Sequence, residues 1–594
     1  METRKHLVVT FRFTPDTPQK NVIPLASWSY GELAALASLG GEDGALFTQG
    51  RDVAVHAGGW QSWSGGWELS ESEAQSHRVL LLTSLLKLTA REGETPEDGE
   101  VSAHFVTYLR AGDTYLCLLA RTHSPEDGAP LPPVNFRFHR KDRRVSAEVF
   151  CPGKVWQTGE LLAEITLFAR QGYFAFKDAL KAEFAQDFSG LGFLRSSWKG
   201  GVIGGYESWY NHYTNIDEEL ILEDLSGLST TGNLLKGMFI DTRQPLVFQI
   251  DDGWEVCVGQ WDPHPKRFPR GLAALAERIE GAGFIPGLWV APLLVTKRAA
   301  VFRERAEWVL RDAKGRPVVA GWNPRWDGAY YCLDISRRDV RDYLAGVIET
   351  VIAWGFRYLK LDFLYAGYLL GKPSGEGALH ENFERLCSLL TAVRTTPSGL
   401  PVAYLGCGAP LGPSSRHFPL MRTGADTLEK WDWNAAKLLG HAGRPSAYIN
   451  LLDTIGRSFL DNTVFCSDPD VVFTRSVNCK LTEQEKELIA VVNFLLAGQI
   501  MFSDDPLRLS EADLAFTGRL LSLYERLSRD DYGAQRLDKD VYRILSRSGA
   551  IGGIINLSDA PYPAGEFQGS TFILDRRVNG AFPPHTVSVT AQTH

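Results

Sequence analysis

The sequence predicts a multidomain protein with a central (β/α)8 TIM barrel between two β-rich domains. Three observations predict it. The chain has 594 residues, more than one hydrophobic core usually organises. Short apolar runs alternate with helical stretches across the middle of the chain, the pattern of parallel βαβ units. The stretches on either side read as strands with few helices between them.

Residues 1–188 make the first expected domain. "HLVVTFRF", "RVLLLTSLLKLTA", "VSAHFVTYLR", "TYLCLLAR", "VNFRFHR" and "VSAEVF" are short runs rich in β-branched and aromatic residues, punctuated by Gly, Pro, Asp and Asn. That spacing suits an antiparallel sandwich. Residues 189–508 make the expected barrel. Its strands are "VIGGYESW", "LVFQIDDGW", "IPGLWVAP", "YYCLDIS", "RYLKLDFLYAG", "PVAYLGCGAP", "LMRTGAD", "TVFCSDPD" and "QIMFSDD", with helices such as "GLAALAERIEGAG" and "RDVRDYLAGVIETVIAWG" between them. Residues 509–594 return to strands in "DVYRILSRSG", "AIGGIINLS" and "STFILDR", a small antiparallel β domain.

Hydrophobic residues make up 44% of the chain and charged residues 22%, ordinary for a globular protein. A net charge of −9 argues against nucleic acid or an anionic membrane surface as a partner. The N-terminus alternates and is charged, unlike a signal segment, and no apolar run reaches the length of a membrane span. Eight scattered cysteines without a C-x-x-C or a Cys/His cluster read as free thiols in a reducing compartment. The expectation is a cytoplasmic protein without metal or cofactor. Its oligomeric state is left open, a homo-oligomer included.

Several strands end on carboxylates: Asp251 and Asp252, Asp362, Asp426, and Asp468 with Asp470. Barrel enzymes gather their chemistry at the carboxyl ends of the strands, where such groups converge on one pocket. The competing reading is helix capping, which suffices for Asp468 or Asp470. Capping explains Lys360 and Asp362 poorly, because residues two apart on a strand share a face and a charged pair there needs a partner or a ligand. Two carboxylates with separated roles are what glycoside hydrolysis requires. One stays ionised, and Lys360 beside Asp362 would hold its pKa down. The other keeps a proton in a less cationic, partly desolvated setting. Trp209, Tyr210, Trp254 and Trp289 lie at or just past strand ends, where sugar platforms would sit, with core packing as the alternative.

At these residues the sequence resembles the family 36 glycoside hydrolases, α-galactosidases related to families 27 and 31. The motifs occur in common order over most of the chain: "GGWQSW" (58–63), "ESWYNHY" (207–213), "QIDDGW" (249–254), "PGLWVAP" (286–292), "LKLDFLYAG" (359–367), "GCGAPLGP" (406–413) and "MRTGADT" (421–427). The resemblance implies an N-terminal β-supersandwich, the barrel and a C-terminal antiparallel domain. It implies Asp362 as nucleophile and Asp426 as acid/base. It implies that Asp251 and Asp252 bind the 4- and 6-hydroxyls, and that Lys360, Cys407 and Arg422 hold the ring hydroxyls. Trp289, Trp209 and Tyr210 would line the pocket, and Trp60 and Trp63 would reach over it from the N-terminal domain. "SDPD" (467–470) would be a structural loop. The chain has "KLD" where longer members carry "KWD", "ESWY" where "CSWY" or "SWN" is more usual, and "TGAD" where "IGPD" is commoner.

The implied activity is retaining exo-hydrolysis of α-galactosides of the melibiose and raffinose type. An α-N-acetylgalactosaminidase would differ at the 2-position pocket near Cys407. A non-catalytic sugar-binding protein would lack one carboxylate, and both are present. A metal-dependent hydrolase would need His ligands or a tight carboxylate cluster that the sequence does not offer.

Overall fold

The computed structural model describes residues 6–37, 44–48, 52–70, 73, 100–195, 201–229, 246–438, 444–527, 530–567 and 570–591. The expected strand "RVLLLTSLLKLTA" (78–90) lies outside them.

The N-terminal strands pair into two antiparallel sheets. One has six strands in the order Leu7–Arg12, Leu161–Gln171, Thr114–Ala120, Val106–Ala111, Ala54–Gly58 and Gly66–Leu69. The other runs Val22–Ser29, Arg144–Phe150, Val134–His139 and Glu100–His104. Val55, Leu116 and Ile165 of the first share a buried cluster with Val101, Phe136 and Val145 of the second, so the sheets pack face to face. Edge strand Leu7–Arg12 alternates in burial, whereas central Thr114–Ala120 is buried throughout.

The middle of the chain builds a nine-stranded parallel sheet. Its order is Cys466–Asp468, Leu420–Arg422, Ala403–Gly406, Tyr358–Leu361, Ile285–Val290, Val247–Ile250, Ile203–Glu207, Gln499–Phe502 and Val471–Val472. The two outermost strands are consecutive in the chain, with only Pro469 and Asp470 between them. Strands such as Ile285–Val290 are buried on both faces, which is why they read as unbroken apolar runs. At Gly205 a Cβ would come within 2.5 Å of the Val247 carbonyl oxygen, so glycine lets the neighbouring strand close in.

Helices cover this sheet for reasons visible in their spacing. Arg338–Ala353 buries Val340, Leu344, Ile348, Val351 and Ile352, one stripe at helical period. Glu483–Leu496 starts at a capping box, with the Thr482 side chain accepting from Glu485 N–H and Glu485 reaching back.

"YYCLDIS" was expected to contribute a barrel strand, and it does not. Gly328–Cys332 lies in a three-stranded antiparallel sheet with Leu294–Thr296 and Val319–Asn323. Leu294–Thr296 follows the Ile285–Val290 strand too closely for a crossover helix, so Gly328–Cys332 pairs back on it as an excursion.

The C-terminal sheet has five antiparallel strands: Tyr532–Asp538, Val541–Ser546, Ile551–Asn556, Thr586–Ala591 and Thr571–Leu574. The Glu511–Leu527 helix precedes it and stacks Tyr524 on Phe494 at 4.2 Å. Among the described residues no helix is long and apolar enough to cross a membrane.

Candidate active site

The carboxyl edge of the parallel sheet collects Glu207, Asp251, Asp252, Lys360, Asp362, Cys407, Arg422, Asp468 and Asp470, all buried. Each sits at or just past a strand end, so the backbone register sets its direction.

Asp362 continues its strand by one hydrogen bond, from its N–H to the Val290 carbonyl at 2.8 Å. Its Oδ2 accepts from Trp289 Nε1 at 2.8 Å and its Oδ1 from Phe363 N–H at 2.8 Å. Phe363 has φ +57°, a left-handed conformation that costs an aromatic residue energy and marks the turn leaving the strand. Burial raises the Asp362 pKa above the ordinary carboxylate value, with Lys360 and hydrogen bonds from Cys407, Trp289 and Phe363 opposing it. Burial also drives the Cys407 thiol well up, with Asp362 adding to it, so this thiol is protonated and a donor.

Lys360 does not pair with Asp362 as expected. Its ammonium lies 2.9 Å from Asp251 Oδ2 and 3.5 Å from Glu207 Oε2. The Lys360 side chain crosses the interior to the strands that carry those two acids. Burial disfavours its charge, but Asp251 and Glu207 outweigh it and hold the pKa well above the usual lysine value.

Arg422 is fully buried, and three carboxylates share its guanidinium. Nε donates to Asp468 Oδ2, Nη2 to Asp470 Oδ1 and Nη1 to Asp426 Oδ1, each at 2.9 Å. Asp468 and Asp470 therefore serve as counter-ions rather than helix caps. Asp470 also accepts from Tyr210 Oη at 2.6 Å and Thr427 N–H at 2.8 Å. Tyr210 is thus buried behind Asp470. The Asp426 side chain is 40% exposed where that of Arg422 is 1%, so Asp426 is the member that faces the opening. The expected setting for Asp426 was weakly cationic, yet Arg422 touches it. Burial nevertheless raises its pKa, with Arg422 and Lys360 opposing.

Asp251 and Asp252 differ. Asp251 accepts three hydrogen bonds: Oδ2 takes Lys360 Nζ and Gln249 Nε2, and Oδ1 takes Asp252 N–H at 2.9 Å, which leaves Oδ1 room for one more donor. Asp252 Oδ2 accepts from Trp326 Nε1 at 2.8 Å, while Oδ1 is buried and receives no amide, hydroxyl or ammonium donor among the described residues. Burial and the neighbouring Glu255, whose carboxyl shares a hydrogen bond with that of Asp252, push the Asp252 pKa well up. Half-buried Trp209 packs edge-on against Tyr213 at 5.2 Å, with the Arg325 guanidinium 5.8 Å from its ring centroid.

The N-terminal sandwich reaches this edge through its 58–66 loop. Trp63 packs edge-on against Phe363 at 4.8 Å, and Trp60 against Tyr368 at 6.4 Å. Ser62 N–H donates to the Ala409 carbonyl at 2.9 Å, and Leu411 N–H to the Trp60 carbonyl at 3.0 Å. Arg457 staples the loop down, donating to the carbonyls of Ser62 at 2.9 Å, Thr423 at 2.7 Å and Ser64. Asp453, one turn before it, accepts from Gly66 N–H at 2.8 Å. The helix approaches so closely that a Cβ at Gly456 would lie 1.9 Å from the Gly66 carbonyl oxygen.

Sequence reasoning missed Glu207, Gln249, Trp326 and Arg457 as parts of this arrangement. Glu207 and Gln249 stood inside quoted motifs without a role. Trp326 sits in the excursion "GWNPRWDG", whose Gly, Pro and Asn content signalled only a turn. Arg457 gave no local signal. Among the described residues no group of three or more His, Cys, Asp or Glu is placed to hold a metal ion.

Two carboxylates at the edge of a parallel sheet, one buried among donors and one more exposed, are the kind of arrangement that glycoside hydrolysis requires. The Melibiase family model matches residues 242–366, which include Asp251, Asp252, Trp289, Lys360 and Asp362. α-Galactosidase AgaA of Geobacillus stearothermophilus is 32% identical over 121 residues, 19% of this chain and 16% of that protein, so the alignment spans only about a sixth of this relative's length. TtGalA, the α-galactosidase from Thermus thermophilus in complex with p-nitrophenyl α-D-galactopyranoside, superposes with a TM-score of 0.64 at 26% identity, covering 91% of this chain and 98% of that one. Its complex with stachyose gives 0.62 at 28% identity, over 79% and 90% of the two chains. By sequence and by fold, this chain is similar to the family 36 α-galactosidases.

Proposed function

We propose that the chain is a retaining exo-α-galactosidase. Asp362 attacks C1 of a terminal α-galactosyl residue, forming a covalent β-galactosyl ester as the C1–O bond to the leaving group breaks. Asp426 gives its proton to that leaving oxygen. It then takes a proton from water as the water attacks C1, which releases α-galactose and frees Asp362. The observation that carries this reading is the contrast between the two acids. Burial raises the pKa of both, but Asp362 is held in the interior by Trp289 Nε1 and Phe363 N–H, while Asp426 has a 40% exposed side chain from which a proton can reach a leaving oxygen.

Asp251 and Asp252 take the 4- and 6-hydroxyls. The Asp252 carboxyl supports this: its buried Oδ1 receives no amide, hydroxyl or ammonium donor among the described residues, and its raised pKa lets the group give as well as take a hydrogen bond with a sugar hydroxyl. Lys360, Cys407 and Arg422 complete the ring contacts, with Trp289 and Trp209 as walls, Trp60 and Trp63 above them, and Tyr210 behind Asp470 rather than against the sugar. The substrates are α-galactosyl oligosaccharides of the melibiose and raffinose type, in line with the stachyose-bound neighbour. We further read the parallel sheet as a closed (β/α)8 barrel, since its outermost strands are joined by two residues and act as one interrupted strand. Domain limits of 1–188, 189–508 and 509–594 follow the change of sheet type. A cytoplasmic location accords with eight free cysteines.

Hydrolysis of p-nitrophenyl α-galactoside, α-N-acetylgalactosaminide, α-glucoside and β-L-arabinopyranoside tests the assignment, with NMR of the first-formed sugar. The α-galactoside is turned over far faster than the α-glucoside, and α-galactose appears first. Equal turnover of those two removes the galactoside reading, and a β-anomer removes retention.

A further inference from the structure

Glu207 ends the Ile203–Glu207 strand and is 3% exposed, yet the reaction described above gives it no task. Its Oε2 lies 3.5 Å from Lys360 Nζ and accepts from Gln249 Nε2 at 3.2 Å. Gln249 Nε2 also donates to Asp251 Oδ2 at 2.7 Å, the oxygen that receives Lys360 Nζ at 2.9 Å. Glu207, Gln249, Asp251 and Lys360 thus form one closed network, drawn from three strands of the sheet. Lysine has a flexible four-carbon stem, and Asp362 stands two residues further along the chain. Nothing in the stem itself stops the ammonium from turning to Asp362. What opposes that turn is the fork of acceptors made by Asp251 and Glu207.

We propose that Glu207 is a positioning residue of this site: with Gln249 it keeps the Lys360 ammonium on Asp251, so that Asp362 stays without a counter-ion and Asp251 stays oriented. The inference rests on the reading of Asp362 as nucleophile. A carboxylate in direct contact with an ammonium is a weaker nucleophile, because the cation stabilises the charge that must attack. The charged or titratable groups around Lys360 are Asp251, Glu207, Arg422 and Cys407, and beyond them Asp362, Asp426, Asp470 and Tyr358, which also feel its charge. Those around Asp362 are Lys360, Cys407, Asp426, Tyr330 and Tyr365. Burial pushes the Glu207 carboxyl up to about 8, so a protonated Glu207 can still offer Oε2 as an acceptor. Glutamine has the same acceptor and leucine lacks it.

The test compares Glu207→Gln with Glu207→Leu, or with Glu207→Ala should the leucine variant not fold. With p-nitrophenyl α-galactoside, the apolar variant is expected to lose about tenfold or more in kcat, to raise KM, and to move the acidic limb of kcat/KM downward as Lys360 turns to Asp362. Glu207→Gln keeps all three near wild type. A crystal structure of the apolar variant shows Lys360 Nζ moved from Asp251 to Asp362. A purely structural role would lower the melting temperature without moving the limb. A folded apolar variant with the wild-type limb and Lys360 still on Asp251 overturns the proposal. Wild-type protein inert toward α-galactosides would overturn the activity reading instead, and the crystal structure would still show whether Glu207 holds Lys360.

Discussion

Lys360 and Asp362 lie two residues apart at one strand end, yet the Lys360 ammonium rests 2.9 Å from Asp251 Oδ2 and makes no ion pair with Asp362. Asp362 instead draws on Trp289, Phe363 and Cys407 for hydrogen bonds. A carboxylate held by neutral donors is anchored without its charge being cancelled, which suits a group that must attack.

The pH profile should reflect this. Burial raises the Asp362 pKa, so the acidic limb of kcat/KM is expected above the ordinary aspartate value of about 3.9. Lys360 and Trp289 both favour the ionised form, so Lys360→Met and Trp289→Phe should each move the limb further up. A limb that stays put in both variants would mean that neither group acts on Asp362.

Loss of the two acids should be told apart by the leaving group. Asp362→Ala is expected to abolish turnover of every substrate, with azide or formate restoring part of it and inverting the product. Asp426→Ala should spare p-nitrophenyl galactoside, whose phenolate needs little protonation, and lose melibiose by about 10²-fold or more. Equal losses on both substrates would show that Asp426 is not the proton donor.

Arg422 is the shared cation of the buried Asp468 and Asp470 and of the more exposed Asp426. Arg422→Met leaves these acids without their shared cation and should cost about 3–5 kcal/mol in urea unfolding. Recovery of most of this by adding Asp468→Asn and Asp470→Asn would locate the cost in the stranded charges. A single variant as stable as wild type would contradict the account.

Asp453 predicts a pH-dependent difference in stability. Burial pushes its folded-state pKa up to about 7, with Arg457 and backbone donors opposing. A raised folded-state pKa gives stability that is complete below the unfolded value, near 3.9, and is lost as pH rises through 7. Asp453→Asn lacks this loss. Relative to wild type it should therefore gain about 2–3 kcal/mol between pH 5 and pH 8, whatever its offset from the lost contact with Arg457. Parallel stability curves for the two proteins would contradict the shift.

Strand-ending acids, the aromatic motifs and the alternation of sheet and helix are local patterns, and they were readable from the chain before any coordinates. A strand buried on both faces must be apolar along its length, so Asp251, Asp362 and Asp426 stood out where such strands stop. "YYCLDIS" misled because an apolar run of that length reads the same in a parallel or an antiparallel sheet. Its pairing with Leu294–Thr296 is set by the short connection and by packing.

Partner choice among the buried charges could not be read that way. Lys360 and Arg422 each have several acids within reach, and distances across the interior decide which they take. Those distances depend on which strands lie next to one another, a property of the whole sheet. The hold of Arg457 on the Trp63 loop joins residues nearly 400 apart in the chain. Side-chain type and spacing announce that buried charge is present. Only the closing of the fold, which removes water and leaves each charge the nearest partner it can reach, assigns the pairs.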